Sequence, residues 1–143
     1  MRHYAKVLAG CILVAGFGVL TTVAMAQADR WQALRDDPEI ANGVLVAAIG
    51  RMIEDNCADI ERRRGPARLA AIPLFNRAIS LGYSRSEIAA YIDDDAEKER
   101  VRALARRWLE QRGASEAVPE TICQVGRDEI SAGSTIGRLL REG

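Results

Sequence analysis

Histidine is almost missing from this chain: its 143 residues include one, His3. That residue lies in a stretch expected to be removed, so the working part of the protein has no imidazole. Histidine-ligated metal sites are thereby excluded, as is every nucleophilic scheme in which histidine is the base, because no other side chain titrates near neutrality unperturbed. Lysine is scarce too. Only Lys6 and Lys98 occur, and the rest of the 20 basic residues are arginine. With Arg2 and Lys6 set aside, 18 basic residues face 20 acidic ones, a formal charge of −2. This balance offers no global basic footprint for nucleic acid. Also missing are internal repeats, low-complexity tracts, long linkers, any Cys-x-x-Cys pair and any period-two run of the kind that marks a strand.

One long apolar run is present, at the N-terminus. Arg2, His3 and Lys6 make a positive start, Val7 to Leu20 is uncharged and mainly apolar, and Ala24-Met25-Ala26 ends the segment with small residues. This is the layout of a secretory signal, with cleavage expected after Ala26 and Ala28 as a second candidate. An uncleaved inner-membrane anchor is the competing reading, since Val7 to Ala26 is long enough to cross a hydrocarbon layer of roughly 30 Å. Leu8-Ala9-Gly10-Cys11 matches a lipobox, but it follows Lys6 too closely to leave room for an apolar region before it. The expectation is a signal peptide over 1–26, a single helical domain over 27–143 and a periplasmic address. That length suits one domain.

Removal of the leader leaves Cys57 and Cys123. An even count in an oxidising compartment reads as one bridge, two buried free thiols being the reading that applies if export fails. Closing that loop stabilises by about 4 kcal/mol in the chain-entropy model.

Along the remaining chain, Trp31 and Leu34 are placed to tuck a short leader against the body. Asp37-Pro38 opens a helix in which Ile40, Val44, Leu45, Ala48, Ile49, Met52 and Ile53 recur at helical spacing to about Asp55. After a charged stretch through Arg64, the residues Leu69, Ile72, Phe75 and Ile79 predict a second apolar face running to Gly82, with Pro73 expected to kink or interrupt it. Ser84 and Glu87 form a capping box, and Tyr83 with Ile88 a hydrophobic staple. Val101, Leu104, Ala105, Trp108 and Leu109 mark a further helix ending at Gly113. Pro119 opens a last helical region containing Ile122, Val125 and Ile130, and a final turn runs through Leu140. The fold class is all-α, a bundle or orthogonal packing of about five or six short helices tied by one disulfide.

Chemistry-bearing clusters are few, and each has a plainer use. Asp93, Asp95 and Glu97 alternate like the start of a calcium loop, but Lys98 and Leu104 stand where glycine and glutamate belong, which favours helix capping. Arg62, Arg63, Arg64 and Arg68 could grip a phosphate or carboxylate, against the simpler reading of a solvated turn. The pairs Glu97–Arg100, Glu99–Arg102 and Arg106–Glu110 read as a solvent face. Gly133 to Gly137 reads as a turn and a tight packing point. For acid–base chemistry, Glu129 is the carboxylate to inspect. No residue is nominated as catalytic, and no cofactor or metal is expected.

Leu81-Gly82-Tyr83-Ser84 with Glu87-Ile88 and Tyr91, Asn56-Cys57 with Ile60, Glu97-Lys98 with Arg102, and the stretch from Cys123 through Gly126-Arg127, Glu129-Ile130 and Ser134 to Leu139-Leu140-Arg141 together resemble a family of small exported bacterial proteins, domain of unknown function 5333. The resemblance implies a signal peptide, a helical body and paired cysteines, and carries over no activity, ligand or catalytic residue. The function expected is a non-catalytic interaction or accessory module of the cell envelope, with a carboxylate-dependent hydrolase of an envelope polymer as the alternative. Its partner would be an envelope protein or other envelope component, not nucleic acid, and the mature domain would not span the membrane.

Overall fold

A computed structural model of the chain describes residues 30–143. The expected signal peptide and its cleavage points after Ala26 or Ala28 lie outside them. Six α-helices, a 3₁₀ turn and one pair of short strands follow in order among the described residues. Trp31–Gly143 form one compact unit. The all-α class is thus shown, with a small antiparallel addition.

Helix α1 (Gln32–Asp36) is a short lead-in that buries Leu34 and is preceded by buried Trp31. Asp37 then caps α2 (Pro38–Asn56), its Oδ1 accepting from the amides of Glu39 and Ile40, both at 3.1 Å. Proline suits the next position because the first amides of a helix have no partner within it. Ile49, Met52 and Ile53 of α2 enter the main core.

Strand β1 (Ile60–Arg62) pairs antiparallel with β2 (Leu140–Glu142) at the far end of the chain, Ile60 opposite Glu142 and Arg62 opposite Leu140. Ile60 and Leu140 point into the core. Three residues per strand are too few to carry a period-two signal, and no strand was expected here.

Helix α3 (Arg64–Ser80) departs most from its sequence pattern. Of the expected face Leu69, Ile72, Phe75 and Ile79, Phe75 is half-buried against the smaller core cluster, whereas Leu69, Ile72 and Ile79 are 69%, 53% and 41% exposed; Ala78 is the only fully buried residue of the helix. The inward face instead carries Leu74, which lies where a β-carbon at Gly43 of α2 would collide with it. Gly43 lets the two helices approach on the Leu74 side, and Phe75 and Ala78 pack inward on the smaller cluster with it. Pro73 does not interrupt the helix. Its missing amide strands the Leu69 carbonyl on an exposed stretch, where water can satisfy it.

Gly82, at φ +94°, ends this region in a backbone conformation that glycine adopts without strain. Helix α4 (Arg85–Asp93) begins with the capping box: the Ser84 hydroxyl accepts from the Glu87 amide at 3.2 Å, and the Ser84 amide donates back to the Glu87 carboxylate at 2.9 Å. Ile88 is buried with Tyr83 packed nearby, as a staple requires. Asp94 caps α5 (Asp95–Glu110) by accepting from the Glu97 amide at 2.9 Å. Val101, Ala105 and Leu109 form the buried stripe of α5.

Helix α6 (Pro119–Ala132) brings in Ile122, Cys123 and Val125 and stops at Gly133, φ +60°. Cys57, just past α2, and Cys123 stand at disulfide distance with Cα atoms 5.5 Å apart. They tie the end of α2 to α6, both cysteines being members of the main core. A second, smaller cluster joins Trp31, Leu34 and Ile40 to Ala78, Ile88 and Tyr91. In it the Trp31 ring meets Tyr91 edge-on, with centroids 5.5 Å apart.

Candidate functional site

Each acidic candidate has a structural partner. Asp94 is a helix cap, and Lys98 Nζ spans the Asp93 carbonyl at 2.7 Å and the Asp95 carboxylate at 3.2 Å. Glu129 is half-buried and accepts from the Ser134 hydroxyl, which in turn accepts from the Gly137 amide at 2.9 Å. Gly137 packs so closely on the Glu129 carbonyl that a β-carbon there would overlap it, so the Gly133–Gly137 spacing marks a turn and a packing point. Among the described residues, no group of three or more acidic, cysteine or histidine side chains could hold a metal ion.

Glu97 corrects the solvent-face reading. It is buried, and its carboxylate joins two arginines: Arg35 of α1 reaches Oε1 and Arg100 Nε reaches Oε2 at 2.8 Å. Arg100 also donates to the Tyr91 hydroxyl at 3.4 Å. Burial, and then the nearby Glu97 charge, raise the Tyr91 phenol above its ordinary pKa. The Glu99–Arg102 pair is present at 3.3 Å, whereas Arg106 turns from Glu110 to form its bridge with Glu116 at 2.8 Å.

The arginine run stands in a different setting. The β1–β2 pairing brings Arg141 beside Arg62, Arg63 and Arg64, and with Glu54, Glu61 and Pro66 they line a cleft of about 640 Å³ at the start of α3. Arg62 is committed to Glu54, whose Oε1 accepts from the Arg62 amide at 3.2 Å and whose Oε2 takes the Arg62 Nε. Burial pushes the Glu54 carboxyl up, but these bonds and the Arg62 charge outweigh it and its pKa is lowered. Arg141 is committed to Glu61 at 2.7 Å. Arg63 donates to the Arg138 carbonyl at 3.3 Å, a neutral partner. Arg64 and Arg68 are exposed and have no ion pair or hydrogen bond to their side chains among the described residues. The run is therefore neither a plain turn nor a closed ion-pair network.

Beside the cleft, and sharing Arg62, Arg63 and Pro66 with it, lies a mainly apolar groove of about 490 Å³ between α2 and α3. Val46 and Ala47 form one wall, Ala70, Ala71 and Leu74 the other, with Leu139 at one end. Leu69 lines its outer edge.

A family model matches residues 32–141, nearly all of the described chain. The chain belongs to DUF5333, a family of unknown function. No curated protein and no solved structure matches it. The DUF5333 match runs through both cysteines, the Ser84 capping box, Glu97 and the arginine cleft as far as Arg141.

Reasoning from the DUF5333 sequence missed two things. One was the burial of Glu97, for which the only signal was an acid placed on the same helix as a long apolar stripe. The other was the meeting of Arg141 with the Arg62–Arg64 run, which depends on a strand pair joining positions 80 residues apart and has no local signature.

Proposed function

We propose that this DUF5333 chain is a non-catalytic interaction or accessory module of the cell envelope, exported behind a signal peptide over 1–26 and working in the periplasm as one helical domain over 27–143. The observation that carries the reading is the α2–α3 groove with Leu69 and Ile72 standing exposed on the helix that walls it. Apolar side chains left together at a surface mark contact sites, because covering them removes apolar area from water. The Cys57–Cys123 pair, at disulfide distance, fits an oxidising compartment. No helix of the described residues is long and apolar enough to cross a membrane. The partner in this reading is an envelope protein or other envelope component that covers the groove.

A photo-crosslinking residue placed at Leu69, which lines the groove, tests it in living cells. Discrete crosslinked species in the periplasmic fraction are expected at this position and not at Arg107, an exposed site outside the groove. Identical products from both positions, or none from either, would refute the assignment.

A further inference from the structure

We propose that the arginine-lined cleft at the start of α3 is a binding site for a phosphate group. The inference goes beyond the interaction-module reading and does not depend on it, since it concerns the polar cleft and not the apolar groove.

The cleft is open and charged in one sense. Four arginines and two glutamates line it, an excess of two positive charges. Both glutamates are spent within the chain, Glu54 on Arg62 and Glu61 on Arg141. Arg63 meets only a carbonyl, and Arg64 has no side-chain partner among the described residues. Two guanidinium groups thus face a cavity with no counter-charge to meet them. A phosphate monoester carries close to two negative charges at neutral pH, which equals the excess, and its oxygens accept from guanidinium forks arriving from different directions. A single carboxylate would leave one positive charge over.

The backbone agrees with the side chains. Arg63 occupies the cap position of α3 without capping it, and no acidic residue sits in the first turn. The positive end of a 17-residue helix therefore faces like charges from Arg63 and Arg64, an arrangement that a bound anion would relieve. A β-carbon built at Gly65 meets nothing within 4 Å, so the space beside this residue of the cleft is open.

The phosphate could belong to a soluble ester or to a lipid headgroup. The shared edge of cleft and groove, and the nearby exposed Leu69 and Ile72, make the second source physically reasonable, and the experiment separates the two. The purified protein would be titrated with inorganic phosphate and, separately, co-sedimented with vesicles containing phosphatidic acid, whose headgroup is a phosphate monoester, and with pure phosphatidylcholine vesicles. Saturable binding to phosphate or to the anionic vesicles is expected, weakening as salt rises. Replacing Arg63→Glu and Arg64→Glu together should weaken it at least about tenfold, the loss expected for two charge-assisted contacts. Arg102→Glu with Arg107→Glu, the same charge change outside the cleft, should leave it within about twofold, as only long-range screened charge is altered. Phosphate binding alone identifies a soluble ester, and vesicle binding alone a headgroup. No saturable binding to either probe, or equal losses in the two double variants, would overturn the proposal. Should charge reversal unfold the protein, Arg64→Gln supplies the comparison, because among the described residues its side chain has no hydrogen bond or ion pair to lose. Failure here leaves the crosslinking result at Leu69 untouched.

Discussion

Arg35 and Glu97, 62 positions apart, meet at a single buried carboxylate oxygen: Nε and Nη2 of the arginine reach Oε1 at 2.8 and 2.7 Å. Arg100 takes the other oxygen. The short lead-in helix α1 is thereby tied to α5 by charge, while Trp31 and Leu34 pack it against Ile88 and Tyr91 of α4 in the smaller core cluster. Removing one partner of a buried pair costs about 3 to 5 kcal/mol, and the partial exposure of both arginines lowers the figure to about 2 kcal/mol here. Glu97→Ala should therefore lower the thermal midpoint by roughly 10 °C. Arg35→Ala should cost less, because Arg100 still neutralises the carboxylate. Thermal unfolding followed by circular dichroism measures both, and equal losses would contradict the geometry.

The Cys57–Cys123 pair closes a loop of 66 residues. A bridge of that span is worth about 4 kcal/mol, so the double serine variant should unfold on the order of 20 °C earlier. Mass spectrometry of alkylated protein with and without prior reduction checks whether the bridge forms in the cell. Two alkylatable thiols in the exported protein would remove its basis.

The Asp37 carboxyl is held below its ordinary pKa, chiefly by the Ile40 amide, against an opposing contribution from burial and with help from the hydrogen bond and charge of Arg77. A carboxylate whose folded pKa is depressed adds stability that is fully present above its unfolded pKa and is lost as pH falls through the folded one. Stability should thus fall below about pH 4, the ordinary aspartate range. Asp37→Asn, which keeps an acceptor for the cap but loses the charge, should flatten that fall. Denaturant midpoints at pH 7 and pH 3 for the two proteins decide it, and identical slopes would be the contrary result.

The rotation of α3 makes a sharp distinction between apolar residues a few positions apart. Leu69→Ser and Ile72→Ser should change stability by less than about 0.5 kcal/mol, as exposed sites do. Leu74→Ala, which removes the side chain packed on Gly43, should cost about 2 kcal/mol. Gly43→Ala should cost about 1 to 3 kcal/mol through the same contact. Urea unfolding of the four variants tests the assignment, and a loss at Leu69 or Ile72 matching that at Leu74 would show that the outward face is covered within the chain.

How much of this was legible varies by element. Asp37-Pro38, the Ser84–Glu87 box and Pro119 each start a helix where the sequence places it, and Gly82, Gly113 and Gly133 take the positive φ that a helix stop asks for. The stripe of α5 was equally readable, since Val101, Ala105 and Leu109 are buried on one face. The stripe on α3 was misleading: Leu69, Ile72 and Ile79 recur at helical spacing but point outward, because the glycine that admits Leu74 lies on another helix. The candidate site was visible only as a run of arginines. Its excess charge depends on where Glu54 and Glu61 are spent and on the arrival of Arg141.

By itself the sequence determined the helical class, the places where helices begin and end, and the cysteines available for pairing. These depend on caps, prolines, glycines and periodicity, which act between residues no more than about four positions apart. The tertiary structure alone decided which face of α3 is inside, that Glu97 is buried between two arginines, and that the segment after α2 meets the C-terminal strand in a pair that helps form the cleft. Each of those outcomes joins residues distant in the chain, and they follow from how whole surfaces fit together, a property that no short stretch of residues contains.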